Sequence, residues 1–434
     1  MVVSPIRLIE FSRFDSWSLP WLILLAACLL GCSDDVSSRV SVTSRLVEQQ
    51  DRPQSSVDEK PKSPRLLRPP TSRRLTQSRL TSSVTAGREY LLNQQTAMGT
   101  FHYQVNFLTG EAADDDNEIR QAGALWGLAL IHQADPSEIT GMAIMRGVKR
   151  FRAWSRRAED GGKFISYPHA SDGKTGTVAL VSLALIELLR CEESVDDQAL
   201  EQQRREYFQF LQSLRLPDGR FSSRYDLTTG ISFARPSPYA DGETLLAMIK
   251  SARYLDHRAM RMVALQSAET MYQKYFVEAQ QANPDSPHSK AFYQWGSLSF
   301  LELYDSGWPG TEQFAERTIE MGHWMLDTHR VLERKANTAY AFEGLICAWE
   351  LARRTKDRAS QEKFFRAIQQ GMLKLMTWQV GNPLQNEFLR KSENFKQECR
   401  GGVLGSAKDP WLRIDTTQHQ MHAVLLARRY LFPQ

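Results

Sequence analysis

The chain has 434 residues, of which 42% are hydrophobic, 10% aromatic and 24% charged, an ordinary globular composition that excludes a disordered or collagen-like protein. Its net charge of +4 resides between Ser33 and Ser83, where ten Lys/Arg face six Asp/Glu. The remaining body is neutral, which argues against nucleic acid as a partner, and its length suits two or three domains or one large repeat.

The N-terminus reads as an address. Trp21–Leu30 (WLILLAACLL) is a short apolar run after Arg7 and Arg13. It is too short to span a bilayer but suits the core of a signal peptide. It ends in Leu29-Leu30-Gly31-Cys32, which resembles a bacterial lipobox. That resemblance implies cleavage after residue 31, lipidation (palmitate) of Cys32, and a membrane-anchored envelope protein. Ser33 after the cysteine resembles the outer-membrane sorting pattern. Residues 32–84 then form a basic, Ser/Pro/Arg-rich tether that is too poor in apolar side chains to fold.

From Thr85 to Gln434 the chain alternates two kinds of helical segment. Six are apolar nearly all round: Ala122–His132, Gly176–Leu189, Asp241–Leu255, Tyr293–Tyr304, Thr338–Ala352 and Thr416–Leu431. Reference positions Gly123, Gly176, Gly242, Gly296, Gly344 and Gln420 lie 53, 66, 54, 48 and 76 residues apart, enough for a helical hairpin and a loop. An amphipathic, charged segment precedes each: roughly 85–95, 137–157, 198–214, 258–281, 311–330 and 358–378. A helix that is apolar on all sides must be buried, and one with a single apolar stripe sits outside. The expected fold is all-α, an (α/α)6 toroid of six inner and six outer helices. Gly-aromatic segments at Gly99–Tyr103, Gly162–Tyr167 and Gly219–Tyr225, with Arg400–Val403 as a weaker fourth, predict short β-hairpin insertions at one end of the ring.

Six helical hairpins joined by such turns resemble the six-hairpin glycosidase and terpenoid-cyclase-like superfamily. The segment Arg413–His419 is also similar to glucuronyl C5-epimerase-like helical domains. The resemblance implies a carbohydrate-active protein, with no catalytic residue carried over.

A ring of this kind places function where its inner helices begin, because helix N-termini favour anions. Polar residues gather there. Asp116 or Asn117, Asp241 and Asp415 each suit a helix cap. Capping does not explain Glu243, Glu343 or His419, which stand inside apolar helices where an unpaired charge is costly. Asp241, Glu243, Glu343, Asp415, His419 and Tyr239 are therefore the candidate catalytic residues. Asp415, His419 and His422 share one helical face, which suits a tuned general base. Their residue types also suit zinc, but no distant ligand matches, so neither metal nor cofactor is expected.

Arg120, Arg224, Arg235, Arg400 and Arg413 fall at or just before inner-helix starts, where guanidiniums would meet the acid groups of a substrate. Tyr225, Phe233, Tyr239, Trp295 and Tyr340 are candidate sugar platforms, whereas Trp126 and Trp349 are expected in the core. Arg120, Arg224, Arg235, Arg413, Trp295 and Tyr340 form the expected substrate-binding set. The expected function is that of a monomeric, envelope-anchored lipoprotein acting on an acidic glycan as hydrolase, lyase or epimerase. The alternative is a non-catalytic lipoprotein that binds a glycan or a protein.

Overall fold

The computed structural model describes residues 74–191, 197–392 and 394–432. Cys32, the lipobox and the tether up to residue 73 lie outside them. The elements run α1 (Gln77–Gln94), β1 (Gln104–Asn106), α2 (Glu118–Ala134), α3 (Glu138–Ala153), β2 (Ser155–Arg157), β3 (Lys163–Ile165), β4 (Gly173–Lys174) and α4 (Thr175–Leu189). Next come α5 (Asp197–Ser213), β5 (Arg224–Tyr225), α6 (Pro238–Tyr254) and α7 (Met260–Tyr272), the last passing through a π-helical turn, Gln273–Val277, into α8 (Glu278–Ala282). The rest are α9 (Pro287–Ser306), α10 (Gln313–Asp327), α11 (Ala339–Arg354), α12 (Arg358–Met376), α13 (Glu387–Lys391), β6 (Trp411–Arg413) and α14 (Ile414–Leu431).

The inner ring is α2, α4, α6, α9, α11 and α14, each packed on the next, with α14 returning to α2. These are the six apolar segments of the sequence. Helix α4 shows why they lie inside: every residue from Thr175 to Leu188 is buried. The outer helices α1, α3, α5, α7, α10 and α12 bury one stripe only, such as Phe364, Ile368, Met372 and Leu375 of α12. Trp126 and Trp349 are buried in the core as expected.

The ring closes through its ends. Helix α1 packs on α14, and Tyr90 of α1 donates its hydroxyl to Leu412 O of β6 at 3.3 Å. Strand β1 pairs antiparallel with β6, from Gln104 opposite Arg413 to Asn106 opposite Trp411. Gln379 donates to Ser83 O at 2.9 Å and Gly401 O at 3.0 Å. Helix α1 starts at Gln77 with Leu80, Ser83 and Val84 buried, so residues 77–84, expected in the tether, are part of the ring.

Short local hairpins are present: β2 pairs with β3, and single antiparallel bridges join Val105 to Ala112 and Tyr225 to Ser232. Phe101, Phe221 and Val403 in addition bridge back to Gln95, Arg215 and Gln379 at the ends of the preceding outer helices. Strands of two or three residues are too short to stand alone, and pairing across repeats (β1 with β6, β4 with β5) supports them. Inner helices or their lead-ins hold these bridges. Gln121 Oε1 accepts Phe101 N–H at 2.7 Å, Asp241 Oδ1 accepts Phe221 N–H at 2.6 Å, and Thr417 Oγ1 accepts Val403 N–H at 3.1 Å.

Candidate active site

The starts of α2, α6, α9, α11 and α14 converge on one cleft with a volume of ≈ 290 Å³. Arg120, Tyr239, Lys290, Gln294, Asn337, Tyr340, Arg413, Asp415, Thr416 and His419 line it. The helix starts place the lining. Asn117 caps α2 by accepting Arg120 N–H at 3.2 Å, Pro238 opens α6, and Ser286 caps α9 ahead of Pro287. Asn337 Oδ1 accepts Ala339 N–H at 2.9 Å where α11 begins.

Glu343 is the centre of the polar network. It is fully buried one turn into α11. His419 Nδ1 lies 2.9 Å from its Oε1 and His422 Nδ1 lies 2.6 Å from its Oε2. Gln294 Nε2 donates to Glu343 Oε2 at 2.9 Å and sits 3.1 Å from His419 Nδ1. Burial pushes the Glu343 pKa up, but the two imidazoles outweigh it and hold the carboxyl below its usual range. An ionised carboxylate only accepts, so His419 donates through Nδ1 and keeps its basic lone pair on Nε2. His419 opens to the cleft. His422 packs edge-on against Trp126 at 4.9 Å and lines a separate cavity at the other end of the ring.

A second cluster is cationic. Arg413 grips Asp415 with two bonds of 2.9 and 2.5 Å, and Arg120 Nε lies 3.2 Å from Asp415 Oδ2. Burial raises the Asp415 pKa, but the two guanidiniums reverse this and keep the carboxyl ionised. Lys290 Nζ stands 6.0 Å from the Tyr340 ring centroid. Three cations against one carboxylate leave this wall positive.

Of the residues expected to be catalytic, His419, Asp415 and Tyr239 line the cleft, and Glu343 stands directly behind His419. Glu243 is buried in the ring wall against Gly176 of α4, and Oε2 has no hydrogen-bond partner. Burial pushes its pKa up to about 8, with Arg120 offsetting part of the effect. Asp241 does not reach the cleft. It is fully buried and is bonded to the Phe221 backbone and the Tyr275 hydroxyl, and burial raises its pKa to about 7. It is a support for the loop before α6.

Of the residues expected to bind substrate, Arg120, Arg413 and Tyr340 line the cleft. Arg224 does not. It is exposed on β5 and paired with Asp172 at 2.7 Å. Arg235 is exposed on the loop before α6 and is likewise absent from the lining. Trp295 is core, its ring tilted against Trp126 at 5.6 Å and packed on Gly242. Tyr225 is buried, with its hydroxyl donating to Ile165 O at 2.8 Å. Sequence reasoning missed Lys290 and Gln294. Gln294 carried a usable signal, because it is a polar residue early in an apolar inner helix, as Glu243 and Glu343 are.

No protein-family model matches the chain, and no curated protein does. Solved structures do. A sugar epimerase from a ruminal bacterium superposes with a TM-score of 0.57 at 12% identity, over 81% of this chain and 98% of that one. A D-mannose isomerase gives 0.60 at 12% identity, over 82% and 98%. An unsaturated glucuronyl hydrolase specific for heparin gives 0.56 at 10% identity, over 82% and 98%. The chain shares the (α/α)6 toroid fold of these proteins. Identities this low establish the toroid and leave its reaction to the geometry of the cleft. Among the described residues no group of His, Cys, Asp or Glu is arranged to hold a metal ion, and no helix is long and apolar enough to cross a membrane.

Proposed function

We propose that this toroid is a carbohydrate-active enzyme that moves a proton on an acidic sugar, as an epimerase, isomerase or lyase. The Glu343–His419 pair carries this reading. With Nδ1–H committed to Glu343, His419 has a basic Nε2 on a ring that lines the cleft. That is the arrangement of an oriented general base. Removing a proton next to a sugar carbonyl or carboxylate leaves an oxyanion. Arg120, Lys290 and Arg413, together with the helix N-termini, stabilise it. The same cations would hold a uronate carboxylate. The structures that share the fold include a sugar epimerase and a D-mannose isomerase.

Hydrolysis has less support. It needs two carboxyl groups flanking one bond. Asp415 is held by two arginines, Glu343 lies beneath two imidazoles, and Glu243 is enclosed in the ring wall.

The test is to incubate the full chain in deuterated water with acidic and neutral sugars. Deuterium incorporation, unsaturated uronate absorbance and new reducing ends are followed together. We expect deuterium incorporation without new reducing ends from an epimerase or isomerase, or one new reducing end for each unsaturated uronate from a lyase, either falling about 10²–10⁴-fold in His419→Ala. New reducing ends that form without unsaturation and persist in His419→Ala would overturn the reading.

We also place the enzyme at the cell envelope as a lipid-anchored monomer, in the outer membrane of a diderm host. The apolar run ending in Gly31-Cys32 and the basic tether support this. Metabolic labelling with a palmitate analogue should mark the wild type and leave Cys32→Ser unlabelled.

A further inference from the structure

Beside the cleft lies a second depression that the proposed chemistry leaves unused. Its volume is ≈ 250 Å³, against ≈ 290 Å³ for the cleft. Tyr103, Trp154 and Tyr167 form its aromatic part, and His102, Asp115 and Asp116 form an exposed rim. The aromatic part is rigid. Tyr167 is buried, its hydroxyl donates to Asp116 Oδ2 at 2.6 Å, and Trp154 packs edge-on against it at 4.8 Å. The rim is anionic. The hydrogen-bond donors to Asp115 and Asp116 are neutral groups, including Gln104 to Asp115 at 2.6 Å, and among the described residues no Lys or Arg pairs with either.

The two depressions share a wall. Tyr103 lines one and Arg413 lines the other, with the guanidinium 5.9 Å from the Tyr103 ring centroid. Residue 414, the first of α14, donates its N–H to Tyr103 O at 3.1 Å, which ties the wall together. The charges on its two sides are opposite. A pyranose offers an apolar C–H face to an aromatic ring and hydroxyl donors to carboxylates. A uronate over Asp115 and Asp116 would meet like charge.

We propose that this depression is a second sugar subsite that accepts an uncharged hexose unit beside the anionic unit in the cleft. The substrate is then a glycan in which charged and uncharged units adjoin. This rests on the acidic-sugar reading of the cleft.

The test is calorimetric titration of the full chain with two tetrasaccharides. One is a hyaluronan tetrasaccharide, in which glucuronate alternates with N-acetylglucosamine. The other is a tetragalacturonide, in which every unit is charged. The alternating probe should bind about tenfold more tightly. Trp154→Ala should erase the preference by weakening that probe. Asp115→Asn, on the exposed rim, should erase it by admitting the uronide, with the melting temperature unchanged. Loss of the preference in either variant supports the subsite. Equal affinities in the wild type, or a preference intact in both variants, overturn it, and the deuterium experiment on His419 still decides the reaction. If the wild type binds neither probe, the subsite and the acidic-sugar reading fall together.

Discussion

Glu243 is a carboxyl group enclosed in the wall of the inner ring, and that burial lifts its pKa from 4.5 to about 8. The folded protein therefore binds a proton there that the unfolded chain has released over that interval. Its contribution to stability is complete below pH 4.5 and is lost as the pH rises towards 8. Asp241, at about 7, acts in the same direction. Glu243→Gln removes one of the two groups. Its melting temperature should fall less than that of the wild type between pH 5 and 9, so the variant gains most at the alkaline end. Parallel melting curves would show that Glu243 does not titrate as its surroundings dictate. Glu343 is buried just as deeply and titrates the other way, because two imidazoles face it. Burial sets the size of such effects, and partners set their sign.

At the scale of the element, the connections before the inner helices repeat one device. A glycine with positive φ reverses the chain, and the residue two positions on bridges back to the preceding outer helix. Gly99, Gly219 and Gly401 adopt φ of +90°, +92° and +89°. At Gly401 a side chain would also run into Ala86 O of α1, so this turn is part of the ring closure. Gly307, which ends α9 at φ +62°, has nothing within 4 Å of where a side chain would start. Both positions carry conformational strain when substituted, but only one carries a clash. Gly401→Ala should lose about 2–4 kcal/mol and Gly307→Ala about 1–2 kcal/mol, measured by denaturant unfolding. Equal losses would mean that the turn can shift away from α1.

At the scale of the molecule, the toroid depends on both ends of its body. Helix α1 reaches the last inner helix, and β1 pairs with β6 across more than 300 residues of sequence. A chain starting at Thr85 would lose Leu80, Ser83 and Val84 from the core, together with the 2.7 Å bond from Ser83 Oγ to Gln379 Oε1. Buried aliphatic side chains contribute about 1.5–3 kcal/mol each. The chain starting at Thr85 should therefore unfold several degrees below one starting at Arg74. An unchanged melting temperature would show that the seam closes without the first turns of α1. The seam also positions the cleft, since Arg413, Asp415 and His419 all lie on the closing segment.

What the sequence determined by itself was the repeat and the anomalies within it. Six apolar segments at hairpin spacing require six buried helices, because such a helix has no face to offer water. Glu343 and His419 were legible for the converse reason: a charge among Leu and Ala must have a partner or a wet cavity, and these two have each other and the cleft. Single residues at the helix starts were not legible in that way. Asp241 and Asp415 look alike in sequence, yet one supports the Phe221 loop and the other meets two arginines. Arg224 and Arg413 likewise look alike, and only Arg413 turns inward. Those roles depend on which neighbouring repeat stands opposite. That is a relation between residues distant in sequence, and only the closed ring decides it.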